Sequence, residues 1–344
     1  NYLHTKPQIM RRNKLFKYSL IAFGIGAMTT MTSCSKEGEK GADGTPGVDG
    51  NAVCLECHNL TKKAEVTAAY TASVHGLGEQ VGYAGGRNNC AMCHSDQGFI
   101  ETQYTGHDTT AQGVTNPQAI QCHTCHDFHQ SLDFENEKNY ALRTIEPVDL
   151  LMYRAAGASP KTIDLGSESN LCVNCHQPRR MGPTDDGTGN ASVTSTHYGP
   201  HHGPQSTTLA GFGAYEVGSG YPTPGEGGKH VTDANCVTCH MANSNHGFEP
   251  TLDGCNTTDC HNGSMTTLSE NTRQLAFKTK MSELEGKLIA GGLLVDDHPN
   301  VGTYPVDQVG ALYNYIWLLD DRSNGVHNFG YAETLLDNSL AVFP

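Results

Sequence analysis

The sequence has little of what an ordinary hydrophobic core is built from. Aromatic residues make up 7% of the 344 residues and apolar residues 37%, whereas glycine occurs 39 times. Side chains of this composition give only a thin core for a chain of this length. We therefore expect little regular secondary structure before residue 262, with most of that region in loops and short α-helices and little β-structure.

Long hydrophobic runs are also lacking. The apolar stretch at residues 20–28 is too short to span a membrane permanently, and it follows a basic segment that contains Arg11, Arg12 and two lysines. This pattern predicts a signal peptide of the lipoprotein type at residues 1–33. Met31, Thr32 and Ser33 then precede Cys34 as a loose lipobox, which predicts lipidation of Cys34. An ordinary signal peptide followed by an unrelated cysteine is the alternative.

Basic residues are scarce beyond that segment. Residues 1–33 contain five of the 22 Lys and Arg residues and no Asp or Glu, so 17 basic residues remain against 36 acidic ones. Such a balance excludes nucleic acid as a partner, because phosphate backbones bind basic surfaces. It favours metal ions or cationic proteins as partners at a cell surface.

Residues 34–51 are predicted to form a tether behind the lipid. Charged residues follow Cys34 directly, and glycine then recurs at every third position from Gly41 to Gly50. Collagen has this period, but three triplets are too few for a stable triple helix. A flexible, Gly-rich linker is the better interpretation.

Cysteine is abundant, and its spacing is the main signal in the chain. Apart from Cys34, the cysteines form six pairs, and a histidine directly follows the second cysteine of each pair. The gap is two residues in five pairs and four in the last. Numbered 1 to 6 in chain order, these motifs are Cys54/Cys57/His58, Cys90/Cys93/His94, Cys122/Cys125/His126, Cys172/Cys175/His176, Cys236/Cys239/His240 and Cys255/Cys260/His261.

This spacing predicts six c-type haems. The two thiols of each motif would add to the two vinyl groups of one haem, and the histidine would be the proximal ligand of its iron. A zinc site also uses paired cysteines, but it does not require a histidine after the second one. Disulfides require no histidine at all. Residues 52–262 are therefore predicted to be a hexahaem core, with the haems at its centre.

The sixth position of each iron separates an electron carrier from an enzyme, because an open position lets substrate bind. Eleven histidines remain after the motifs and the predicted signal peptide are set aside. The six that we predict as distal ligands lie close to motifs, midway between motifs, in a histidine cluster or just before the last helix: His75, His129, His201, His230, His246 and His327. Weaker candidates are His107, His197 and His202, followed by His123 and His298.

Two further segments differ from the core. Residues 183–230 are rich in Gly and Pro and are predicted to form a long surface loop. Residues 263–344 lack cysteine and show helical periodicity, which predicts a helical cover for the core or an oligomer interface. The residues of the three predicted helical stripes are Leu268, Leu275, Met281, Leu284 and Leu288; Val309, Leu312, Tyr313, Ile316 and Trp317; and Tyr331, Leu335, Leu336 and Leu340. Gly291 is predicted to end the first helix, and Asn328 to cap the third.

Several segments resemble bacterial multihaem c-type cytochromes. They are motif 2 followed by Gly98-Phe99-Ile100, motif 3 followed by Asp-Phe-His129, His197-Tyr-Gly-Pro-His201-His202-Gly-Pro-Gln205, motif 5 followed by Met241-Ala242 and His246, and Asp321-Arg-Ser-Asn-Gly-Val-His327-Asn328. The resemblance covers roughly residues 50–344. It implies bis-histidine haems stacked in a chain close enough for rapid electron hopping.

Electron transfer is the function that we expect. The predicted lipid anchor and tether place such a conduit at the outer membrane, on the cell surface or outside the cell, with other redox proteins or extracellular metals and minerals as partners. A reductase of a small nitrogen or sulfur oxyanion is the alternative, and Arg179 and Arg180 could bind its substrate. The chain has no C-x-x-C-K motif, which marks the catalytic haem in one nitrite reductase family. A filament subunit, in which histidines ligate haems of a neighbouring copy, is a third hypothesis.

Overall fold

The computed structural model describes residues 54–55, 58–129 and 140–344, which belong to one compact unit. The predicted signal peptide at residues 1–33, the lipidation site Cys34, the tether at residues 34–51 and the thioether residue Cys57 lie outside these ranges. Those predictions stay predictions.

Short helices joined by loops make up the first part of the described chain. They are α1 (Leu60–Ala72), α2 (Val74–Leu77), a π-helical turn (Val81–Gly85), α3 (Ala91–His94), α4 (Asp96–Thr105), α5 (Cys122–Cys125), α6 (Leu151–Ala155) and α7 (Ser167–Val173). Ser95 caps α4, because its side chain accepts a hydrogen bond from the Gly98 amide at 3.1 Å. A Cβ atom on Gly98 would lie 2.3 Å from the Ala91 carbonyl oxygen, so the close approach of α3 and α4 requires glycine there.

The middle of the chain contains one- and two-turn helices. They are α8 (Gln205–Ala210), α9 (Lys229–Thr232), α10 (Cys236–His240), a 3₁₀ turn (Ala242–Ser244) and α11 (Leu252–Cys255). The predicted surface loop at residues 183–230 is wrong in part, since α8 is buried and a strand also lies there. Burial of polar α8 is possible because the hydroxyls of Thr207 and Thr208 donate to the Pro204 carbonyl at 3.0 and 2.8 Å.

Strands in the described ranges form three small antiparallel ladders. Strand β1 (Val148–Asp149) pairs with β2 (Thr162–Ile163), β3 (Asn190–Val193) with β6 (Gly302–Pro305), and β4 (Leu294–Val295) with β5 (His298–Pro299). In the longest ladder, Val193 lies opposite Gly302. The predicted fold class, loops with short helices and little strand, is confirmed for the described residues.

Three longer helices end the chain, as the periodicity predicted: α12 (Thr272–Ala290), α13 (Val306–Asp321) and α14 (Phe329–Ala341). Gly291 directly follows α12, and the Asn328 side chain caps α14 by accepting from the Tyr331 amide at 3.0 Å. The three helices share an apolar cluster in which Leu284, Trp317 and Leu335 are buried. Every helix in the described ranges is too short or too polar to cross a membrane.

The predicted apolar face of α12 is wrong at its first two positions. Leu268 precedes the helix and is 48% exposed, and Leu275 is 52% exposed. The buried face is formed by Phe277, Leu284 and Leu288 instead. Leu275 lies two residues from Phe277, and two residues correspond to more than half a turn of an α-helix, so the two side chains lie on opposite sides.

Candidate haem-binding site

Most of the six motifs lie on a single turn of helix or at its end. Motif 3 occupies α5 and motif 5 occupies α10, whose N-terminus is capped by Asn235 through a 3.0 Å bond from the Thr238 amide. Residues three apart on a helix lie on the same face, so both thiols of such a motif can reach one macrocycle. None of the described cysteines is in a disulfide.

Each motif histidine faces one of the six predicted distal histidines. The ring centres of every such pair are 6.0 to 6.4 Å apart: His58 and His129 at 6.1 Å, His94 and His201 at 6.3 Å, His126 and His246 at 6.3 Å, His176 and His75 at 6.0 Å, His240 and His327 at 6.4 Å, and His261 and His230 at 6.2 Å.

This separation fits two imidazoles on opposite faces of one metal. A metal–imidazole nitrogen bond is about 2 Å long and a ring centre lies about 1 Å behind its nitrogen, so two such rings have centres about 6 Å apart. Rings in direct contact by stacking have centres about 4.5–7 Å apart as well, but stacking gives no reason for six pairs to have one separation. The donor set therefore fits six irons with two histidine ligands each.

Histidines that are close in the sequence are not the ones that face each other in the structure. His246 follows motif 5, yet it faces His126 of motif 3. His75 lies between motifs 1 and 2 but faces His176 of motif 4. The pairs therefore join segments that are far apart along the chain, and their identities could not be predicted from spacing.

A cavity of about 920 Å³ lies between motifs 2, 3 and 4. All three motif histidines and His75, His201 and His246 line it. Apolar side chains provide much of the remaining wall, namely Tyr70, Met92, Phe99, Ile120, Leu142, Leu151, Leu171, Val237, Met241 and Phe248. A large cavity with an apolar wall and a few convergent polar groups is what a flat apolar cofactor requires.

The protein environment favours the neutral, metal-binding form of three proposed ligands in this cavity, His75, His176 and His201. Desolvation lowers the pKa of His176 to about 4, although the side chain is open to the cavity. Burial, assisted by the nearby Arg179 guanidinium, also lowers the pKa of His201 to about 4. The pKa of His75 is lowered by burial as well.

Several of the paired histidines are oriented by a hydrogen bond at the second ring nitrogen, Nδ1. The acceptors are main-chain carbonyls or a side-chain amide for five of them: Tyr140 O for His126 at 3.0 Å, Val326 O for His230 at 2.8 Å, Phe248 O for His240 at 2.7 Å, Ser244 O for His246 at 2.8 Å and Gln205 Oε1 for His176 at 3.3 Å. His327 differs, because its Nδ1 lies 2.7 Å from the Asp321 carboxylate. Sequence reasoning missed Asp321, which belongs to the same run as His327.

Motif 4 lies against two other motifs. Cys93 Sγ of motif 2 lies 3.8 Å from the Asn174 carbonyl oxygen, and Cys175 Sγ of motif 4 lies 3.9 Å from the Met92 carbonyl oxygen. The Val237 amide within motif 5 donates to the Ser169 hydroxyl, just before motif 4, at 3.3 Å. Motif 4 is therefore in contact with motif 2 and next to motif 5.

The five weaker histidine candidates contact other groups, although His202 also lines the cavity. His123 contacts Asp96 at 2.9 Å and His202 contacts Asp320 at 3.0 Å. His298 Nδ1 lies 2.7 Å from the Asp296 carbonyl, while His107 and His197 are exposed near hydroxyls of neighbouring residues. His202 also lies beside His201, with ring centres 5.5 Å apart.

The two arginines proposed as an anion site differ in position. Arg179 lines the cavity and donates to the Asn89 carbonyl at 2.9 Å. Arg180 donates to the His197 carbonyl at 3.2 Å. Both make main-chain hydrogen bonds within the chain, and only Arg179 borders the space that a haem would fill.

No family model matches the chain, and no curated protein matches it. Among solved structures, it is similar to the outer cell wall cytochrome OcwA, with 19% identity, 80% of this chain and 49% of that chain covered, and a TM-score of 0.49. It is also similar to the undecahaem cytochrome from the S-layer of Carboxydothermus ferrireducens, with 18% identity, 78% and 40% coverage, and a TM-score of 0.49. The chain thus spans less than half the length of these two proteins.

Proposed function

We propose that the chain is a hexahaem c-type cytochrome that transfers electrons and carries two histidine ligands on every iron. One observation carries this proposal: each of the six motif histidines faces a second histidine at nearly the same separation. When bound, the haem irons would supply reversible one-electron chemistry. The polypeptide would hold each haem by two thioether bonds, keep both axial positions filled and exclude water from the macrocycle faces.

The contacts between motifs support an order for the haems. The contacts of Cys93 and Cys175 with the opposite motif support haem 2 beside haem 4, and the hydrogen bond from Val237 to Ser169 supports haem 4 beside haem 5. Motif 3 lines the same cavity as motifs 2 and 4, which supports haem 3 as a further neighbour. In this order, haem 4 would be a junction between haems 2, 3 and 5.

The two ends of the order follow from neighbouring residues. The thiol of Cys239 is close enough to Cys255 and Cys260 to have its pKa raised by them, after the larger effect of burial, so haem 6 follows haem 5. His129, which faces motif 1, is three residues beyond His126 of motif 3, so haem 1 adjoins haem 3. The proposed route runs from haem 1 through haems 3, 4 and 5 to haem 6, with haem 2 as a side branch.

A reductase of a nitrogen or sulfur oxyanion requires at least one iron with an open face. The pairing of all six motif histidines speaks against an open iron, so electron transfer is the better supported function. The same pairing means that ligation needs no histidine from a neighbouring copy, as the filament hypothesis had assumed, because one chain can supply a second histidine for every motif. Assembly with other copies of the chain stays a prediction.

The proposed setting outside the cell is supported by sequence features. These are the signal pattern at residues 1–33, the lipidation site Cys34, the Gly-rich linker at residues 34–51 and the acidic charge. In this setting, the cytochrome would exchange electrons with other redox proteins or with extracellular metal and mineral acceptors.

Low-temperature EPR of the fully oxidised protein, together with quantification of haem and of protein mass, tests the proposal. We expect six haems per chain and only low-spin ferric signals, because two strong-field imidazoles would bind each iron. A high-spin signal equal to one haem per chain would overturn full bis-histidine ligation. Nitrite, hydroxylamine, sulfite and tetrathionate would then be tested as substrates.

A further inference from the structure

Asp321 is a buried carboxylate at the end of α13. Its side chain is 1% exposed, and Oδ1 lies 2.7 Å from Nδ1 of His327. The hydroxyl of Ser323 donates to the other carboxylate oxygen. Burying a carboxylate is costly unless it is paired and hydrogen-bonded, so this contact holds the imidazole of His327 firmly in one orientation.

Five of the other paired histidines have a neutral acceptor at Nδ1 in place of a carboxylate. These acceptors are four main-chain carbonyls and the side-chain amide of Gln205. A neutral acceptor orients the ring but transfers little charge to it, whereas a carboxylate makes the imidazole a stronger electron donor. His327 faces His240, so the difference falls on the haem of motif 5.

We propose that Asp321 is a positioning residue that gives His327 partial imidazolate character and thereby lowers the reduction potential of haem 5. This inference rests on the proposed function, since it requires His327 to bind the iron. A more negative ligand stabilises ferric over ferrous iron, because the ferric ion carries the additional positive charge. Haem 5 is then harder to reduce than it would be with a neutral acceptor beside its ligand.

The lowered potential of haem 5 would affect electron transfer because of the position of this haem in the proposed route. In the proposed route, haem 5 lies between haem 4 and haem 6, and an electron passing along the main route must occupy it. With a lowered potential, transfer of an electron onto haem 5 from either neighbour is energetically unfavourable, and transfer off haem 5 is favourable. Asp321 would thereby slow the passage of electrons between haem 4 and haem 6.

The test is a spectroelectrochemical titration of the haem-loaded Asp321→Asn protein, with EPR of the oxidised form. Asparagine keeps the size and an oxygen acceptor but removes the charge. We expect one of six potentials to rise so that the reduction equilibrium of that haem shifts about tenfold, equal to about 59 mV for one electron. One low-spin EPR signal should change with it, and five should not.

Asp320→Asn is the matched control. It removes a neighbouring carboxylate that contacts His202 at 3.0 Å, and His202 is not a proposed ligand. Asp320→Asn should leave all six potentials near those of the unmodified protein. Equal shifts in both variants would mean that only net charge matters and would overturn the proposal, as would unchanged potentials in Asp321→Asn.

Ser323→Ala provides a second variant with the opposite sign. It removes the hydroxyl that shares the charge of Asp321. The carboxylate then acts more strongly on His327, and we expect the same single potential to fall. A rise or no change at that haem contradicts the proposal even if Asp321→Asn does not fold. Fewer than six low-spin haems in the unmodified protein would instead contradict the proposed function.

Discussion

Desolvation favours the metal-binding form of some histidines of this chain, because an imidazole binds metal only in its neutral form. The protein lowers the pKa of His176 and of His201 to about 4, so both are neutral at any physiological pH. His202 follows His201 directly, but its pKa is raised by the hydrogen bond to Asp320. Both His201 and His202 line the cavity, and their pKa values shift in opposite directions because His202 contacts this carboxylate.

The proposed ligand His75 allows a direct test of axial ligation at a single haem. Its ring faces His176 and also contacts Phe248, with ring centres 4.8 Å apart. In a His75→Ala variant, the iron of haem 4 should lose its distal ligand and bind water or nothing. We expect a high-spin ferric EPR signal equal to one haem per chain, while the other five haems stay low-spin.

His107→Ala is the control for that variant. His107 is exposed and its main-chain amide contacts the Thr105 hydroxyl at 3.4 Å, so its loss should leave every haem low-spin. If His75→Ala stays entirely low-spin, another residue caps haem 4 and the pairing with His176 is not ligation.

At the residue level, the motif cysteines and histidines could be identified from spacing, because their chemistry fixes their order in the chain. The candidates for distal ligands followed from nearness to motifs, and the structure places all six beside motif histidines. Their pairing could not be predicted, since His126 and His246 meet only in the folded chain. Asp321 was missed because an acidic residue six positions before a histidine is no signal by itself.

At the scale of elements, periodicity predicted the three C-terminal helices, which bury long apolar side chains, and missed shorter helices such as α8. Helix α13 shows a regular stripe that includes Val309, Leu312 and Trp317, and all three are buried. Helix α8 has the sequence Gln-Ser-Thr-Thr-Leu-Ala, and the hydroxyls of Thr207 and Thr208 are satisfied within it, although the buried Ser206 hydroxyl has no partner. A pattern based on hydrophobicity has nothing to detect in such a helix.

Asn314 of α13 connects this helix to the segment that was predicted to be a surface loop. Its side chain accepts from the Tyr215 amide at 2.9 Å and donates to the Tyr215 carbonyl at 2.7 Å and to the Ser339 hydroxyl at 2.9 Å. Asn314→Ala leaves these groups unpaired and opens a small void. We expect a loss of about 2–4 kcal/mol in the free energy of unfolding, measured by urea titration with circular dichroism.

Asn338→Ala is the matched comparison on α14. Asn338 also donates to the same segment, at the Ser219 carbonyl over 2.9 Å, but water can replace this exposed bond. Its loss should reduce the free energy of unfolding by less than about 1 kcal/mol. Equal effects of the two substitutions would mean that the burial of Asn314 adds nothing to its hydrogen bonds.

For the whole molecule, the fold class was predicted from the composition together with the six motifs, because haems that take the place of an apolar core require few long elements. The described chain agrees, with loops, short helices and three small ladders before and between the C-terminal helices. What the composition could not give is how the loops are held together. In the proposed holoprotein, each iron joins two distant segments, so the haems act as six cross-links as well as cofactors.

The two parts of the chain should therefore depend on haem to different degrees. The C-terminal helices share a cluster of buried side chains, among them Leu284, Trp317 and Leu335, to which Ala191 and Val193 of β3 also belong. The region of the motifs instead surrounds a cavity of about 920 Å³, and in the absence of haem its apolar wall loses its packing partner. We expect the haem-free chain, made without the attachment machinery, to unfold in the motif region and to keep the C-terminal helices.

Limited proteolysis followed by mass spectrometry measures this difference. The haem-loaded protein should resist cleavage throughout residues 58–344 apart from exposed loops, because ligation holds the segments of the core together. The haem-free chain should be cut within residues 58–262 and leave a protected fragment that begins near the predicted boundary at residue 263. Uniform cleavage of the haem-free chain would mean that the C-terminal helices also need the haem core. Uniform protection would mean that the polypeptide folds without haem, and the six histidine pairs would then be a consequence of its packing rather than the means by which it is held together.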